Sequence, residues 1–234
     1  MGTHIPKEID FPVERAEQIL KMHETHAWFI YALTGRPERW HVWAPSLWLA
    51  KRISRNARIL ETGCGCAWNL IWFGQRGFRQ LYGFDTDPKA IAAGTDLCAV
   101  AGTQATLCVD DGLAPKHLAA DFYDVVLALN WTYHLEAFDL QTFFLNYSKY
   151  LRPGGYIAID TIDSAYNSVP NNEYLTSDWN LPDARRRPTE YKKRYTDDEV
   201  RSTARETGLR IVRSEMCDNC ILSRRVYILT HNST

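Results

Sequence analysis

The sequence predicts an α/β protein built on a doubly wound, mostly parallel sheet with an antiparallel last strand, preceded by a helical N-terminal cap. Three observations carry that expectation. From Ala57 onward, short apolar runs of strand length alternate with stretches of helical periodicity. A turn of alternating glycine and cysteine closes the first apolar run, in "ARILETGCGCAWN" (residues 57–69). Two strand-like runs, "LRIVRSEMC" and "SRRVYILTH", end the pattern. With 234 residues, 45% of them hydrophobic, the chain can bury one sizeable core.

The elements follow in order. "IDFPVERAEQILKMHETHAWFIYAL" (residues 9–33) reads as one amphipathic helix, with Val13, Ala16, Ile19 and Leu20 at helical spacing and Asp10 and Pro12 at its start. "GRPERWHVWAPS" reads as a break, and "PSLWLAKRIS" as a short helix with Pro45 in its first turn. "ARILET" is a strand, "NLIWFGQRG" a helix, "QLYGFDTD" a strand, and "PKAIAAGTDLCAVAG" a helix begun by Pro88. "ATLCVDDG" and "YDVVLALNW" are strands, "DLQTFFLNYSKYL" a helix, "RPGG" a turn and "YIAIDTID" a strand. An irregular loop fills about 164–194, and "TDDEVRSTARETG" is a capped helix ending at Gly208. The expected division is a cap or lid over 1–55 and a ligand-binding domain over 56–234, with the insertion at about 164–194.

Composition excludes some functions. A formal net charge of −1 provides no global field for nucleic acid or an anionic membrane, and no apolar run is long enough to span a bilayer. The charged start does not read as a secretory signal, so a cytoplasmic, soluble protein with free thiols is expected for its six cysteines. "CDNC" (Cys217 and Cys220) has redox or zinc spacing but lacks a second pair, so no metal site is expected.

The glycine turn points to a ligand. In a doubly wound sheet, ligands bind beyond the carboxyl ends of the strands. Gly63 and Gly65 let backbone approach a ligand closely. Trp68 stands where a dinucleotide fingerprint requires glycine, and no Gly-Lys-Ser/Thr marks a P-loop. Asp85, ending the second strand, is placed to accept from a ribose diol. Together these features suggest an adenosine-containing ligand without pyrophosphate. Glu61 as an ordinary strand-end acid, and Asp85 as the cap of the helix at Pro88, remain open readings.

In these motifs the chain resembles the class I S-adenosylmethionine-dependent methyltransferases, with a Rossmann-like fold, over about Ala57 to Thr230. "ILETGCGCA" resembles the family's glycine motif, with Ala67 at the third glycine. "GFDTDP", "CVDDG", "YDVVLALNWTYHL" and "YLRPGGYIAID" resemble the motifs that follow it. The resemblance implies S-adenosylmethionine as cofactor, held by Glu61, Gly63, Cys64, Gly65, Asp85, Thr86, Asp110, Asp111, Gly112 and Asn130. Glu61 would steady the methionine ammonium, Asp85 the ribose and Asp111 the adenine amino group, with Asp110 as the competitor. For Asp110 and Asp111 helix capping is the other reading, and for Asn130 a plain turn. It implies a small-molecule acceptor and, by position, His134 as general base, since an oxygen nucleophile must lose a proton. A capping or core-edge histidine is the bland alternative. Asp160 or Asp163 would orient that ring or bind the acceptor, and Tyr133 is the alternative base. Trp28, Tyr31, Trp43, Tyr133, Asp163 and Tyr166 are the acceptor candidates. The run Arg185–Arg187 would grip an anion or simply be solvated. No "NPPY"-type tetrad and no basic patch favour a macromolecular acceptor. An amine acceptor stays open, as does a homodimer.

Overall fold

The computed structural model describes residues 9–33, 39–217 and 222–232. Among the described residues, three helices precede the sheet: α1 (Val13–Met22), α2 (Trp28–Leu33) and α3 (Trp40–Ala50). The single helix expected over 9–33 is therefore two. Glu24 adopts φ +52°, and Thr25 N–H returns to Leu20 O. The polar run after Met22 is drawn to a neighbouring helix, α5 (Pro88–Val100): His23 Nε2 lies 2.8 Å from Asp96 Oδ2 and Lys89 Nζ 2.7 Å from Glu24 Oε2. From Trp40 onward the expected break before Pro45 is helical instead, while its residues 35–38 lie outside the described residues. Pro45 sits inside α3, where it lacks the N–H that would bond His41 O. Helix α3 persists because it is buried nearly all round, through Val42, Trp43, Ala44 and Leu49.

The sheet comprises β1 (Arg58–Thr62), β2 (Gln80–Asp85), β3 (Thr106–Val109), β4 (Tyr123–Ala128), β5 (Leu151–Asp163), β6 (Arg194–Tyr195), β7 (Leu209–Cys217) and β8 (Arg224–His231). Its order is β3-β2-β1-β4-β5-β8-β7, with the short β6 paired to β5. Pairing is parallel throughout the first half, and β8 runs antiparallel to both β5 and β7. The order reverses between β1 and β4, which creates the crevice where doubly wound sheets take ligands. The "RPGG" stretch belongs to β5 and not to a separate turn; Gly154 at φ +78° absorbs the irregularity opposite β4. The insertion is irregular as expected, holding three short 3-10 turns.

Helices α4 (Trp68–Gly74), α5, α6 (Leu140–Ser148) and α7 (Asp197–Glu206) cover the sheet. The start of α7 is a complete capping box between Thr196 and Glu199, and Gly208 beyond its end has φ +77°. Alternation along β1 sends Ile59 to one core and Leu60 to the other. The first core also contains Ile19, Phe29, Val42 and Leu49, so the N-terminal helices share their apolar interior with the sheet. Each such side chain contributes about 1.5–3 kcal/mol by burial.

Candidate active site

The turn after β1 is built from left-handed residues: Gly63 (φ +63°), Gly65 (+49°) and Ala67 (+62°). The two glycines serve different ends. A Cβ on Gly63 would lie 1.9 Å from Trp131 Cδ1, so an indole of the protein itself demands that glycine. A Cβ on Gly65 would meet nothing within 4 Å, so this residue presents bare backbone to open space. Asp85, at the end of β2, accepts from Gly65 N–H at 2.9 Å and from Asp87 N–H at 3.0 Å. It joins two turns and does not cap α5. That task falls to Asp87, which accepts from Lys89 N–H at 2.9 Å.

These turns border a cavity of about 290 Å³, at the lower end of small-molecule pockets. One wall is the N-terminal region (His26, Trp28, Phe29, Arg39 and Val42). The floor is Glu61, the glycine turn with Cys64 and Cys66, Asn69 and Asp85. The far wall is Leu129, Asn130 and His134. Burial pushes the Cys66 thiol up to about 11, so it is an inert lining group. Glu61 is 2% exposed. Asn69 Nδ2 donates to its Oε1, while Oε2 has no hydrogen-bond partner among the described residues. Burial pushes its carboxyl up to about 8. A buried carboxyl oxygen without a partner at a cavity suits a cationic ligand group.

His134 ends a 3-10 turn (Thr132–His134) and lines the cavity. Its Nδ1 lies 3.1 Å from Glu190 Oε2, and its ring packs against Tyr133 and Tyr191. Hydrogen bonding to His134 holds the Glu190 carboxyl below its ordinary range. The carboxylate beside the ring thus comes from the insertion and not from β5. Asp160 is fully buried: it accepts from Asn130 N–H at 2.6 Å and faces Arg224 at 3.7 Å. Burial raises its carboxyl and Arg224 opposes the rise. Asp163 is committed to Ala165 N–H and to Arg225 Nε at 3.1 Å. The Tyr133 hydroxyl donates to Asn130 Oδ1 at 2.7 Å, and burial pushes this phenol well above its ordinary value.

The acceptor candidates divide by packing. Trp28 lines the cavity at 50% exposure, and Tyr31 meets it edge-on, with centroids 5.7 Å apart. Trp43, Tyr133, Asp163 and Tyr166 are buried away from the cavity lining, which corrects their expected place at the acceptor. Arg187 is tied to Asp178 at 2.8 Å and Arg186 to Leu181 O at 2.7 Å, so these two brace the insertion.

On the adenosine side, Thr86, Asp110, Asp111 and Gly112 lie outside the cavity lining. Asp110 accepts from Asp111, Lys116 and His117 N–H groups and organises its own loop. Asp111 is exposed, with one oxygen on Leu113 N–H at 2.9 Å. Trp131 covers this side, for a Cβ on Gly112 would lie 2.4 Å from its ring. Sequence reasoning missed Trp131, Asn69, Glu190 and Arg224. Only Trp131 left a signal, an indole following a strand that ends beside a glycine turn. Cys217 is buried, and Cys220 lies outside the described residues. Among the described residues no three His, Cys, Asp or Glu side chains gather as metal ligands.

Comparison with solved structures returns the same fold. The magnesium protoporphyrin IX methyltransferase (ChlM) of Synechocystis PCC 6803, with SAH bound, is 16% identical with a TM-score of 0.64, covering 95% of this chain and 90% of that one. A SAM-dependent methyltransferase from Methanosarcina mazei is 12% identical with a TM-score of 0.64, covering 80% and 97%. In sequence, 90 residues are 36% identical to the ribosomal protein L11 methyltransferase of Thiobacillus denitrificans. That match spans 38% of this chain and only 29% of the relative's length. Residues 37–214 match the family described as methyltransferase domain. Most of the chain lies within that match, so it belongs to this methyltransferase-domain family, and its fold is that of the S-adenosylmethionine-dependent methyltransferases among these solved structures.

Proposed function

We propose that the protein transfers a methyl group from S-adenosylmethionine to an oxygen of a small-molecule acceptor, with His134 as general base. The observation that carries this reading is the His134–Glu190 pair, 3.1 Å apart at the cavity wall. A carboxylate on Nδ1 keeps the proton there and leaves Nε2 to accept one.

The cavity lining suits the methionine and ribose parts of the cofactor. Glu61 Oε2 would take the methionine ammonium, and the bare backbone at Gly65 leaves room for close approach. Asp85 would keep its amide contacts while accepting from the ribose, and Gly63, Cys64 and Asn130 complete the lining. Thr86, Asp110, Asp111 and Gly112 would border the adenine beside Trp131. When bound, the cofactor supplies an electrophilic methyl on its sulfonium. His134 would take the acceptor's proton, and Glu190 would stabilise the imidazolium that results. Trp28 on the cavity wall, with Tyr31 packed edge-on behind it, suits a planar or sugar-like acceptor. Asp160 and Tyr133 support this machinery from behind.

No described helix is long and apolar enough to cross a membrane; residence in the cytoplasm and a homodimer are part of the proposal. The partial likeness to a ribosomal protein L11 methyltransferase supplies the second reading, a protein acceptor. Incubation with methyl-labelled S-adenosylmethionine and separated metabolite, protein and RNA fractions distinguishes them. Label in the metabolite fraction as a methyl ether or ester supports the proposal. Label confined to protein or RNA, or to nitrogen, overturns it.

A further inference from the structure

The segment after β4 carries two cavity residues, Asn130 and His134, and one buried guanidinium holds it from behind. Arg224, on β8, is 7% exposed. Its Nη1 faces Asn130 Oδ1 at 2.8 Å, the Tyr133 hydroxyl and Nε2 of His41. It lies 3.7 Å from Asp160 Oδ2, and its Cζ stands 4.7 Å from the Tyr133 ring centroid. Asn130 has φ +58°, a conformation that non-glycine residues hold only when their surroundings require it. Here the requirement is visible: Asp160 takes the Asn130 N–H at 2.6 Å, while Arg224 takes its side-chain oxygen.

The four elements that meet here are far apart in sequence. His41 comes from α3, Asn130 and Tyr133 from the segment after β4, Asp160 from β5 and Arg224 from β8. A buried carboxylate and a buried guanidinium are tolerated only as a pair with their remaining valences satisfied. The pair therefore fixes whatever else bonds to it, and that is the loop carrying Asn130 and His134. His41 is 3% exposed and accepts from Arg224 through Nε2, so the N-terminal helices enter the same network.

We infer that Arg224 is a positioning residue for methyl transfer, setting the loop that presents Asn130 to the cofactor and His134 to the acceptor, with His41 making that setting depend on the N-terminal helices. The inference shares its loop with the proposed base but does not need His134 to act as one.

The test uses the full chain and variants Arg224→Met, Arg224→Lys and His41→Ala. Three quantities are read: thermal midpoint, affinity for S-adenosylhomocysteine, and the NMR titration of the His134 ring, assigned with His134→Asn. Arg224→Met is expected to weaken S-adenosylhomocysteine by about ten- to a hundredfold, the size of a lost charge-assisted hydrogen bond, and to move the His134 titration. Arg224→Lys, which keeps the charge for Asp160 but not the fork, is expected to restore part of both. A lowered thermal midpoint with affinity and His134 titration as in the wild type would show a merely structural residue and overturn the inference. If Arg224→Met does not fold, His41→Ala, which leaves the Arg224–Asp160 pair, is read in the same way. Smaller changes in the same direction support the inference, and none overturns it. If His134→Ala leaves methyl transfer intact, the general-base reading fails, while the affinity and titration data still decide the role of Arg224.

Discussion

Binding of the cofactor product should release a proton from Glu61, and the amount can be worked out in advance. Burial raises this carboxyl from 4.5 to about 8; the Asn69 hydrogen bond opposes the rise, Asp85 adds to it and Arg39 opposes it. At pH 6.5 only about 3% of ligand-free molecules would carry Glu61 as a carboxylate. The ammonium of S-adenosylhomocysteine is itself protonated at that pH, since α-amino groups titrate at about 8. Seating it against Oε2 favours the ionised form, so close to one proton leaves per site. The raised value corresponds to about 5 kcal/mol at 1.36 kcal/mol per tenfold step. Affinity should tighten by up to about tenfold per pH unit from pH 5 toward 8. Calorimetry in buffers of different ionisation enthalpy reads the released proton as the slope of observed heat against buffer heat. Glu61→Gln should abolish that slope. Without ligand, the folded state binds this proton more tightly than the unfolded chain. The stability owed to Glu61 is therefore complete below about pH 4.5 and lost as pH rises to about 8. Glu61→Gln should flatten that decline. A zero slope at pH 6.5 in the wild type would refute the reasoning, for it would mean that Glu61 is already ionised or does not meet the ammonium.

Four further outcomes are expected. Asp85→Ala should weaken S-adenosylhomocysteine binding by about 1–3 kcal/mol in calorimetry, because it removes an acceptor that also anchors Gly65 N–H; unchanged affinity would leave Asp85 only its role in joining two turns. Glu190→Gln should slow methyl transfer and shift its pH profile while cofactor affinity stays unchanged, and an unaltered profile would detach Glu190 from the base. Deleting residues 1–43 should expose the core face covered by Ile19, Phe29 and Val42 and unfold the protein in circular dichroism. Ile19→Ala alone should cost about 2–5 kcal/mol, and a truncated chain with full secondary structure would show the N-terminal helices to be a separable lid.

The strands and helices of the ligand-binding region were legible because each rests on a local pattern. Periodicity announced β1, β2, β4 and α5, and Thr196 with Glu199 spelled out the start of α7. That Glu61 and Asp85 border the cavity was legible because strand ends in a doubly wound sheet point toward the crevice. What stayed hidden depends on contacts between distant segments. Glu190 reaches His134 from an aperiodic insertion, and His41 meets Arg224 across 183 positions. Neither leaves a local signal. Trp28 and Trp43 show the same limit. Both lie in an aromatic-rich stretch, yet one is 50% exposed at the cavity and the other 4% exposed in the core. Composition cannot tell them apart, because helix phase and the break at Glu24 decide which face each presents. That break arises from partners on α5, which no window over residues 9–33 contains.

The central claim is that His134 removes the proton from an oxygen as the methyl group arrives. Its most direct test is the product formed from S-adenosylmethionine carrying a carbon-13 methyl, followed by NMR with wild-type protein and with His134→Ala. The account predicts that the labelled carbon appears on oxygen. It also predicts that His134→Ala slows its build-up by about two to four powers of ten, while S-adenosylhomocysteine binds both proteins equally. A label on nitrogen, or a build-up within about tenfold of the wild type in His134→Ala, would contradict it.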